Sequence, residues 1–355
     1  MANVLDLRRR IRSVKNTRQI TKAMKMVAAA KLRRAQERAY ASRPYVKMLS
    51  SVLDSLIRRV DIYDPETGEA RHPLLVARPE KKVTVVIVTG DKGFAGAFNT
   101  NVLKATNQFI GEHSDVDLDL ESIGRKGRDV LRRSYSVASF SDDRKMEHRA
   151  APRSRKARIE IVGEHTGMLD KLTFEKAAHL AHTLVERYTA CESDAVYLVF
   201  NEFQSVMTQR VLVERILPIM EVGKQDIASA TEIDREQREE MVRAAHTAGV
   251  SVKSEDTREA DEEASKFGTA QVDYIYEQPP RQLLQELLPR YVATQLYHAM
   301  LESAAAEHAS RMTAMDAATN NASEMIDKYT LTMNRVRQAA ITKEIIEIVS
   351  GAAAL

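Results

Sequence analysis

Residues 311–340 of this 355-residue chain read RMTAMDAATNNASEMIDKYTLTMNRVRQAA. An apolar or small residue recurs there at alternating spacings of three and four for about four heptads, which is the pattern of a coiled-coil helix. The seam positions are Met312, Met315, Thr319, Ala322, Ile326, Tyr329, Met333, Val336 and Ala340. Lys343 and Glu347 take the next two positions, so the apolar seam fails near the C-terminus. We predict one helix of about 100 Å over residues 281–351.

A second long helix is predicted at the opposite end of the chain, over residues 1–60. No glycine or proline occurs before Pro44, which we expect to bend or interrupt this helix. Apolar residues at Val4, Leu7, Ile11 and Val14 form a narrow stripe. Because a helix with such a stripe needs a partner in water, we predict that the terminal helices pair as an antiparallel two-helix coiled coil.

The formal net charge of +3 conceals two oppositely charged segments. Residues 1–43 hold 13 basic and 2 acidic residues, a balance of +11, whereas residues 223–270 hold 7 basic and 12 acidic residues, a balance of −5. A basic helix of this kind favours an anionic partner: nucleic acid, anionic lipid or an acidic protein surface. A solvated helix face explains the same charges without a partner.

Composition and motifs exclude several classes of protein. One cysteine rules out a disulfide scaffold and any multi-cysteine metal site. No apolar run reaches the roughly 18–20 residues of a membrane-spanning helix. No secretory signal is apparent, and the basic pattern continues past residue 40, unlike a transit peptide. We therefore expect a cytosol-like compartment, with Cys191 reduced.

Between the helices, residues 80–222 indicate a Rossmann-like α/β domain with a mostly parallel sheet. The predicted strands are Lys82–Thr89, Asp117–Ile123, Ala195–Asn201 and Val206–Ile216, with helices over Phe98–Gly111 and Met168–Thr189.

The first predicted strand runs into a glycine-rich turn with Gly90, Gly93 and Gly96. This spacing matches neither the dinucleotide-binding pattern nor a P-loop, so a tight strand-to-helix turn is favoured over a nucleotide site. HExxH and GxSxG motifs are absent, and the histidines do not cluster at metal-ligand spacing. We predict no catalytic site, no cofactor and no bound metal.

Four stretches resemble one known family. They are Ile11–Ala28 (IRSVKNTRQITKAMKMVA), Asn201-Glu202-Phe203, Arg311–Ala322 (RMTAMDAATNNA) and Arg335–Ala352 (RVRQAAITKEIIEIVSGA). The chain resembles, over nearly its whole length, the gamma subunit of F-type ATP synthases, the central rotor shaft. It departs from the family in its turn, GFAGAFN where GLCGGLN is usual, in the long 223–270 segment and in the basic 134–156 stretch. Chloroplast members carry a pair of redox-active cysteines in their insertion; this segment has none.

The resemblance implies a non-catalytic subunit of the proton-translocating ATP synthase, with catalysis on other chains. Its partners would be the catalytic beta and non-catalytic alpha subunits, the epsilon and delta subunits, and the membrane ring of c-subunits, with no nucleic acid. It would couple proton flow to conformational changes in the catalytic subunits, and regulate ATPase activity and proton flow. It would lie on the cytoplasmic face of the bacterial inner membrane as a peripheral protein.

The resemblance also implies residues that contact the surrounding subunits or couple rotation. They are Met24, Lys25, Arg311, Arg337, Gln338, Thr342, Glu344 and Glu347. Acidic loops of the catalytic subunits would then be the partner of the basic helix. The alternative is a coiled-coil scaffold whose basic helix binds nucleic acid or anionic lipid; the lack of tryptophan and of a nucleic-acid-binding motif argues against it. Residues 223–270 are either a regulatory element, with a helix over 231–246 capped by Thr231, or a solvated loop.

Overall fold

In the computed structural model, the described residues are 4–59, 72–138, 155–206, 208–220, 222, 226–250 and 277–353. Two long helices dominate them: the N-terminal helix α1, Val4–Arg59, and the C-terminal helix α6, Pro280–Ala353. They run antiparallel, because Ser42 contacts His298 while Lys25 contacts Asp316. Pro44 lies inside α1 without ending it, so the predicted interruption does not occur. The predicted fold class, an antiparallel coiled coil with a central α/β domain, is confirmed.

The heptad seam is buried only where α6 has a partner. Met312, Met315, Ala322 and Ile326 are buried, and Tyr329, Met333 and Val336 are half-buried. From Arg337 to Ser350 every side chain is exposed. Since Val4 precedes Lys25 by 21 residues and Lys25 pairs with Asp316, the start of α1 lies opposite Arg337, 21 residues beyond Asp316. The seam therefore fails where the partner helix begins.

The central domain contains a seven-stranded sheet in the described residues, in the order β3-β4-β2-β1-β5-β6-β7. The pairings from β3 to β5 are parallel, and β5–β6 and β6–β7 are antiparallel. The strands are β1 Lys82–Val88, β2 Asp117–Ile123, β3 Ser136–Val137, β4 Ile159–His165, β5 Ala195–Phe203, β6 Gln209–Leu217 and β7 Asp226–Glu232. The shorter helices are α2 Phe98–Glu112, α3 Arg125–Ser134, α4 Phe174–Thr189 and α5 Arg235–Ala248.

The shaft, meaning the paired helices α1 and α6, serves as one helical layer on the sheet. Strand β1 alternates: Val86 and Val88 face a core shared with α4 and the first turns of α6, while Val85 and Ile87 face α2. Burial on both faces explains why β1 is a continuous β-branched run. This double burial fixes the base of the shaft to the domain.

Several predicted boundaries need correction. Strand β6 begins at Gln209 rather than Val206, and α4 begins at Phe174 rather than Met168. Met168 and Leu172 are buried in the turns before α4, which gave them the apolar spacing of a helix. Strands β3, β4 and β7 and helix α3 were not predicted from the sequence.

The first part of the 223–270 segment belongs to the folded domain. Strand β7 extends the sheet from β6, and α5 packs Met241, Ala244 and Ala245 against the shaft. The prediction that Thr231 caps a helix is wrong: Thr231 pairs with Val211 in the sheet, and the cap is Asp234, whose carboxylate accepts a hydrogen bond from the Arg235 amide. Residues 251–270, and most of the basic 134–156 stretch, lie outside the described residues.

Over the residues that the structure describes, no helix combines the length and apolar character that crossing a bilayer requires.

Candidate functional site

The end of α6 stands free of α1 within the described residues. We define the tip segment as residues 337–353, a single helix about 25 Å long. Five predicted contact residues lie on it with exposed side chains: Arg337, Gln338, Thr342, Glu344 and Glu347. Their interactions are local, since Thr342 donates to the Gln338 carbonyl at 3.0 Å and Lys343 Nζ lies 3.5 Å from Glu347 Oε1. The polar groups of the tip segment are therefore available to other molecules.

The tip segment also exposes large apolar side chains, which the prediction of contact residues left out. They are Ile341, Ile345, Ile346, Ile348 and Val349. Ile348 is 71% exposed and Val349 62%. A contiguous exposed apolar surface of this kind marks a site of protein association. The signal in the sequence was the density of isoleucine beyond the point where the seam fails.

Lys25, a predicted contact residue, lies inside the shaft instead of on its surface. Its Nζ is 2.6 Å from Asp316 Oδ1, and the two side chains are 6% and 16% exposed. Met24, the preceding residue, is half-buried. The ammonium group of Lys25 is thus directed at α6.

Arg311 is also directed inward and fixes the glycine-rich turn. Its Nη2 lies 2.5 Å from Glu307 Oε1, its Nη1 3.2 Å from His308 Nδ1, and its Nε donates to the Gly93 carbonyl at 3.4 Å. Burial raises the pKa of Glu307, with Arg311 opposing that shift. Burial, with Arg311 and Lys31 nearby, lowers the pKa of His308 to about 4, so this imidazole is neutral at pH 7.

The turn after β1 occupies the crevice at the carboxyl ends of the parallel strands, where dinucleotides bind in doubly wound sheets. Here the carboxylate of Asp91 accepts hydrogen bonds from the amides of Arg125, at 3.1 Å, and Gly167, at 2.8 Å. Arg125 is the first residue of α3, so Asp91 takes the position that an anion takes at a helix N-terminus. A Cβ at Gly90 would lie 2.6 Å from Glu307 Oε1, so a larger residue there would displace the Glu307 carboxylate.

Phe94, in the same turn, is an exposed aromatic residue in a left-handed conformation. Its φ is 62° and its side chain is 71% exposed. A bulky residue at positive φ costs free energy, and such strain clusters at functional positions. Because the Arg311 guanidinium contacts the adjacent Gly93, Phe94 lies beside the shaft. From the sequence, this position was predicted only as part of a tight strand-to-helix turn.

A group of buried carboxylates lies where the sheet meets the shaft. Glu202, Glu214 and Glu302 come from β5, β6 and α6 and are all under 9% exposed. Glu202 pairs with Arg210, and Glu302 Oε1 lies 3.0 Å from His298 Nε2. Burial, and next the negative charges of Glu302, Glu202 and Asp226, raise the pKa of Glu214 to about 8. No sequence pattern indicated this group, because its members are distant along the chain.

The outer face of α1 carries the basic charge. Ten of the 13 lysines and arginines counted in residues 1–43 are exposed: Arg8, Arg9, Arg10, Arg12, Lys15, Lys22, Lys31, Arg33, Arg34 and Arg38. Ile20, Met26 and Val27 are exposed on the same helix. Among the described residues, no group of three His, Cys, Asp or Glu side chains is arranged to hold a metal ion.

Comparison with known proteins places these features in one family. A family model described as ATP synthase matches residues 3–355. A protein named ATP synthase gamma chain from Solibacter usitatus is 45% identical over 354 residues, covering 100% of this chain and 99% of that protein. Another of that name, from Pelotomaculum thermopropionicum, is 39% identical and is covered over the full length of both chains.

One solved structure shares the fold over nearly the whole chain. It is a chain of the Euglena gracilis mitochondrial ATP synthase, in an assembly of OSCP, F1 and c-ring in rotational state 3. The TM-score is 0.53 and the identity 16%, and the match covers 99% of this chain and 94% of that one.

Proposed function

This chain belongs to the ATP synthase gamma chain family, and from that premise we propose that it couples proton flow through the membrane ring to conformational changes in the catalytic subunits. Gamma chains form the central stalk of the ATP synthase and are not catalytic by themselves, since catalysis occurs on the beta subunits. The coupling would be conformational: each orientation of an asymmetric shaft favours a different state of each catalytic subunit, so product release becomes sequential.

The observation that carries this proposal is the contrast within α6. The helix is packed against α1 and the sheet over most of its length, then continues as the unpaired tip segment with exposed isoleucines. A single helix that exposes apolar side chains needs other protein around it to cover them. The ring of alpha and beta subunits, which we call the sleeve, would provide those surroundings.

The basic outer face of α1 would meet acidic surfaces of the catalytic subunits. Ten exposed cations on one helix create a positive field that attracts such surfaces. Phe94, exposed beside the shaft, would add an apolar contact. The remaining partners that we propose are the epsilon and delta subunits and the c-ring, with the chain on the cytoplasmic face of the bacterial inner membrane. The alternative of a scaffold that binds nucleic acid or lipid has no support from the comparisons.

We divide the proposed coupling residues into two groups by their surroundings. Arg337, Gln338, Thr342, Glu344 and Glu347 are exposed and would contact the sleeve, as would the half-buried Met24. Lys25 and Arg311 are directed inward and would act by holding the shaft and the turn in position.

The 223–270 segment would regulate ATPase activity through α5. This helix lies against the shaft beside Leu32 and Met312, so a shift of α5 would alter the surface that the shaft presents to the sleeve. Deleting residues 224–270 would also remove β7, so a sharper variant reverses the charge of the exposed Glu239 and Glu240 to lysine. A change in the ratio of hydrolysis to synthesis rates supports regulation, and an unchanged ratio contradicts it.

The coupling itself is tested in vesicles that contain the complete ATP synthase. We expect ATP hydrolysis to drive proton uptake, and expect a chain ending at Arg337 to hydrolyse ATP while pumping at least about tenfold fewer protons per ATP. The described side chains that the deletion removes, at residues 338–350, are all exposed, so we expect the shaft and the domain to stay folded. If the shortened chain pumps as many protons per ATP as the full chain, the proposed role of the tip segment is wrong.

A further inference from the structure

Two polar layers interrupt the apolar seam of the shaft. In one, Lys25 Nζ lies 2.6 Å from Asp316 Oδ1. In the other, one helical turn towards the start of α1, the hydroxyl oxygens of Thr21 and Thr319 lie 2.8 Å apart. Thr21 and Lys25 are 8% and 5% exposed, so both layers lie within the seam.

Most apolar residues in the layers on either side are small or flexible, with the β-branched Ile326 as the exception. Ala28, Ala29 and Met312 lie on the side of the α/β domain, and Ala322 and Ile326 on the side of the tip segment. Alanine and methionine pack acceptably at several offsets, because one is small and the other adapts its shape. Beside the two polar layers, apolar contacts alone therefore specify the axial register of α1 against α6 only weakly.

A buried ion pair discriminates between registers even where it contributes little net stability. Removing two charges from water is costly, and the pair only offsets that cost while both partners are in place. A slip by one turn would move α1 by about 5.4 Å along α6 and leave both charges buried without their partners. Polar side chains at core positions of coiled coils fix register in this way, at some expense in stability.

We propose that Lys25 and Asp316, together with Thr21 and Thr319, form a register key that prevents the two helices of the shaft from sliding or rotating against each other under torque. These are positioning residues: they act through the shaft and do not touch nucleotide. The inference rests on the proposed rotor function. It gives Lys25 a role different from direct contact with the sleeve, and a reason for a lysine at a seam position.

The test compares ATP hydrolysis and proton pumping of the complete complex in vesicles. The variant Lys25→Met/Asp316→Leu removes both charges at once, so no buried charge is left unpaired and the shaft still assembles. We expect hydrolysis to be retained while the number of protons pumped per ATP falls at least about threefold. The charge-reversed variant Lys25→Asp/Asp316→Lys restores the pair and is expected to recover most of the lost pumping.

A matched control removes an ion pair that is remote from the shaft. Arg132→Met/Glu164→Leu deletes one positive charge on α3 and one negative charge on β4, where the two side chains are 52% and 19% exposed. We expect this variant to pump as many protons per ATP as the unmodified complex.

Register is measured directly in complexes frozen during ATP hydrolysis. Spin labels at the exposed Lys22→Cys and Asn321→Cys, in a Cys191→Ser background, report the distance between the helices. We expect one distance with the key intact and a second, displaced population in Lys25→Met/Asp316→Leu.

Unchanged pumping in the apolar double variant, or a single unchanged distance, would overturn the register key and leave the pair as a packing contact. These outcomes are distinct from failure of the rotor function itself. If the rotor function itself failed, even the complex with Lys25 and Asp316 in place would hydrolyse ATP without pumping protons.

Discussion

The two ends of helix α6 differ in whether their apolar side chains are buried or exposed. Near the α/β domain, its side chains at Leu296, Ala305 and Met312 are fully buried, and it is held by the sheet, α1 and α5. Along the tip segment, isoleucines of the same helix are exposed and its polar groups bond only locally. One continuous helix thus joins a region fixed by its own chain to a region that needs other chains. Substitutions near the domain should change stability, and those on the tip segment should change function.

The largest effect is expected from Leu32→Ala in the packed part of the shaft. Leu32 is 0% exposed among Phe98, Phe203 and Met312, and truncation of such a side chain costs about 2–5 kcal/mol of unfolding free energy. Leu331→Ala is the matched control, since Leu331 is 62% exposed and its loss should cost under about 0.5 kcal/mol. Urea unfolding measures both. Equal losses at the two positions would contradict the contrast between packed and exposed parts.

The second prediction concerns Glu214 and the buried carboxylates. Its pKa is raised from the ordinary value to about 8, so the folded chain binds more protons than the unfolded chain between about pH 4.5 and 8. Unfolding free energy therefore falls as the pH rises through that window and is level above it. We expect Glu214→Gln to abolish up to about 5 kcal/mol of this fall.

Unfolding in urea at pH 5, 7 and 9 measures the slope of unfolding free energy against pH. Glu175→Gln, at an exposed position on α4, is the control and should leave the slope unchanged. A Glu214→Gln chain with the original slope would show that this carboxyl group is ionised in the folded protein at neutral pH.

The third prediction concerns His308, for which unfolding free energy changes with pH in the opposite direction. Its pKa is lowered to about 4, so the unfolded chain binds more protons between about pH 6.5 and 4. Unfolding free energy falls as the pH decreases through that window. His308→Gln should remove up to about 3 kcal/mol of this loss, measured by unfolding at pH 4 and 7. His182→Gln, on an exposed face of α4, should have no such effect. Acid sensitivity that persists in His308→Gln would place its origin elsewhere.

The smallest effect on stability is expected on the tip segment. Ile345→Ser/Ile348→Ser changes side chains that are 56% and 71% exposed, so unfolding free energy should change by less than about 0.5 kcal/mol. The same variant should lower the number of protons pumped per ATP in the complete complex, because it would remove the apolar contacts that we propose with the sleeve. A stability loss as large as that of Leu32→Ala would mean that the tip segment packs against its own chain.

The sequence was sufficient to predict those helices and strands whose buried residues form a regular pattern. The heptads of residues 311–340 and the β-branched run of β1 predicted their elements. Strand β7 was missed because it lies at the sheet edge with most side chains exposed, so it shows no apolar alternation. Helix α3 was missed because its buried residues are Gly127 and Leu131, too few to form a stripe.

The candidate site was only partly predictable, for reasons of distance along the chain. The exposed polar residues of the tip segment were identified through a family motif. The direction of Lys25 depends on Asp316, 291 residues away, and no local pattern contains that pairing. Exposed and buried isoleucines look alike in a sequence, so the apolar surface of the tip segment required knowledge of where α1 begins.

The most direct measurement of the central claim is rotation of the chain inside the assembled complex. Cys191 is exposed just after the end of α4 on the central domain, and the sequence contains no other cysteine. A bead attached there, with the alpha and beta subunits fixed to a surface, reports the angle of the shaft during ATP hydrolysis. We predict unidirectional rotation in three steps per turn, one for each catalytic subunit. ATP hydrolysis at a normal rate with a stationary bead would contradict the claim that this chain is the rotor.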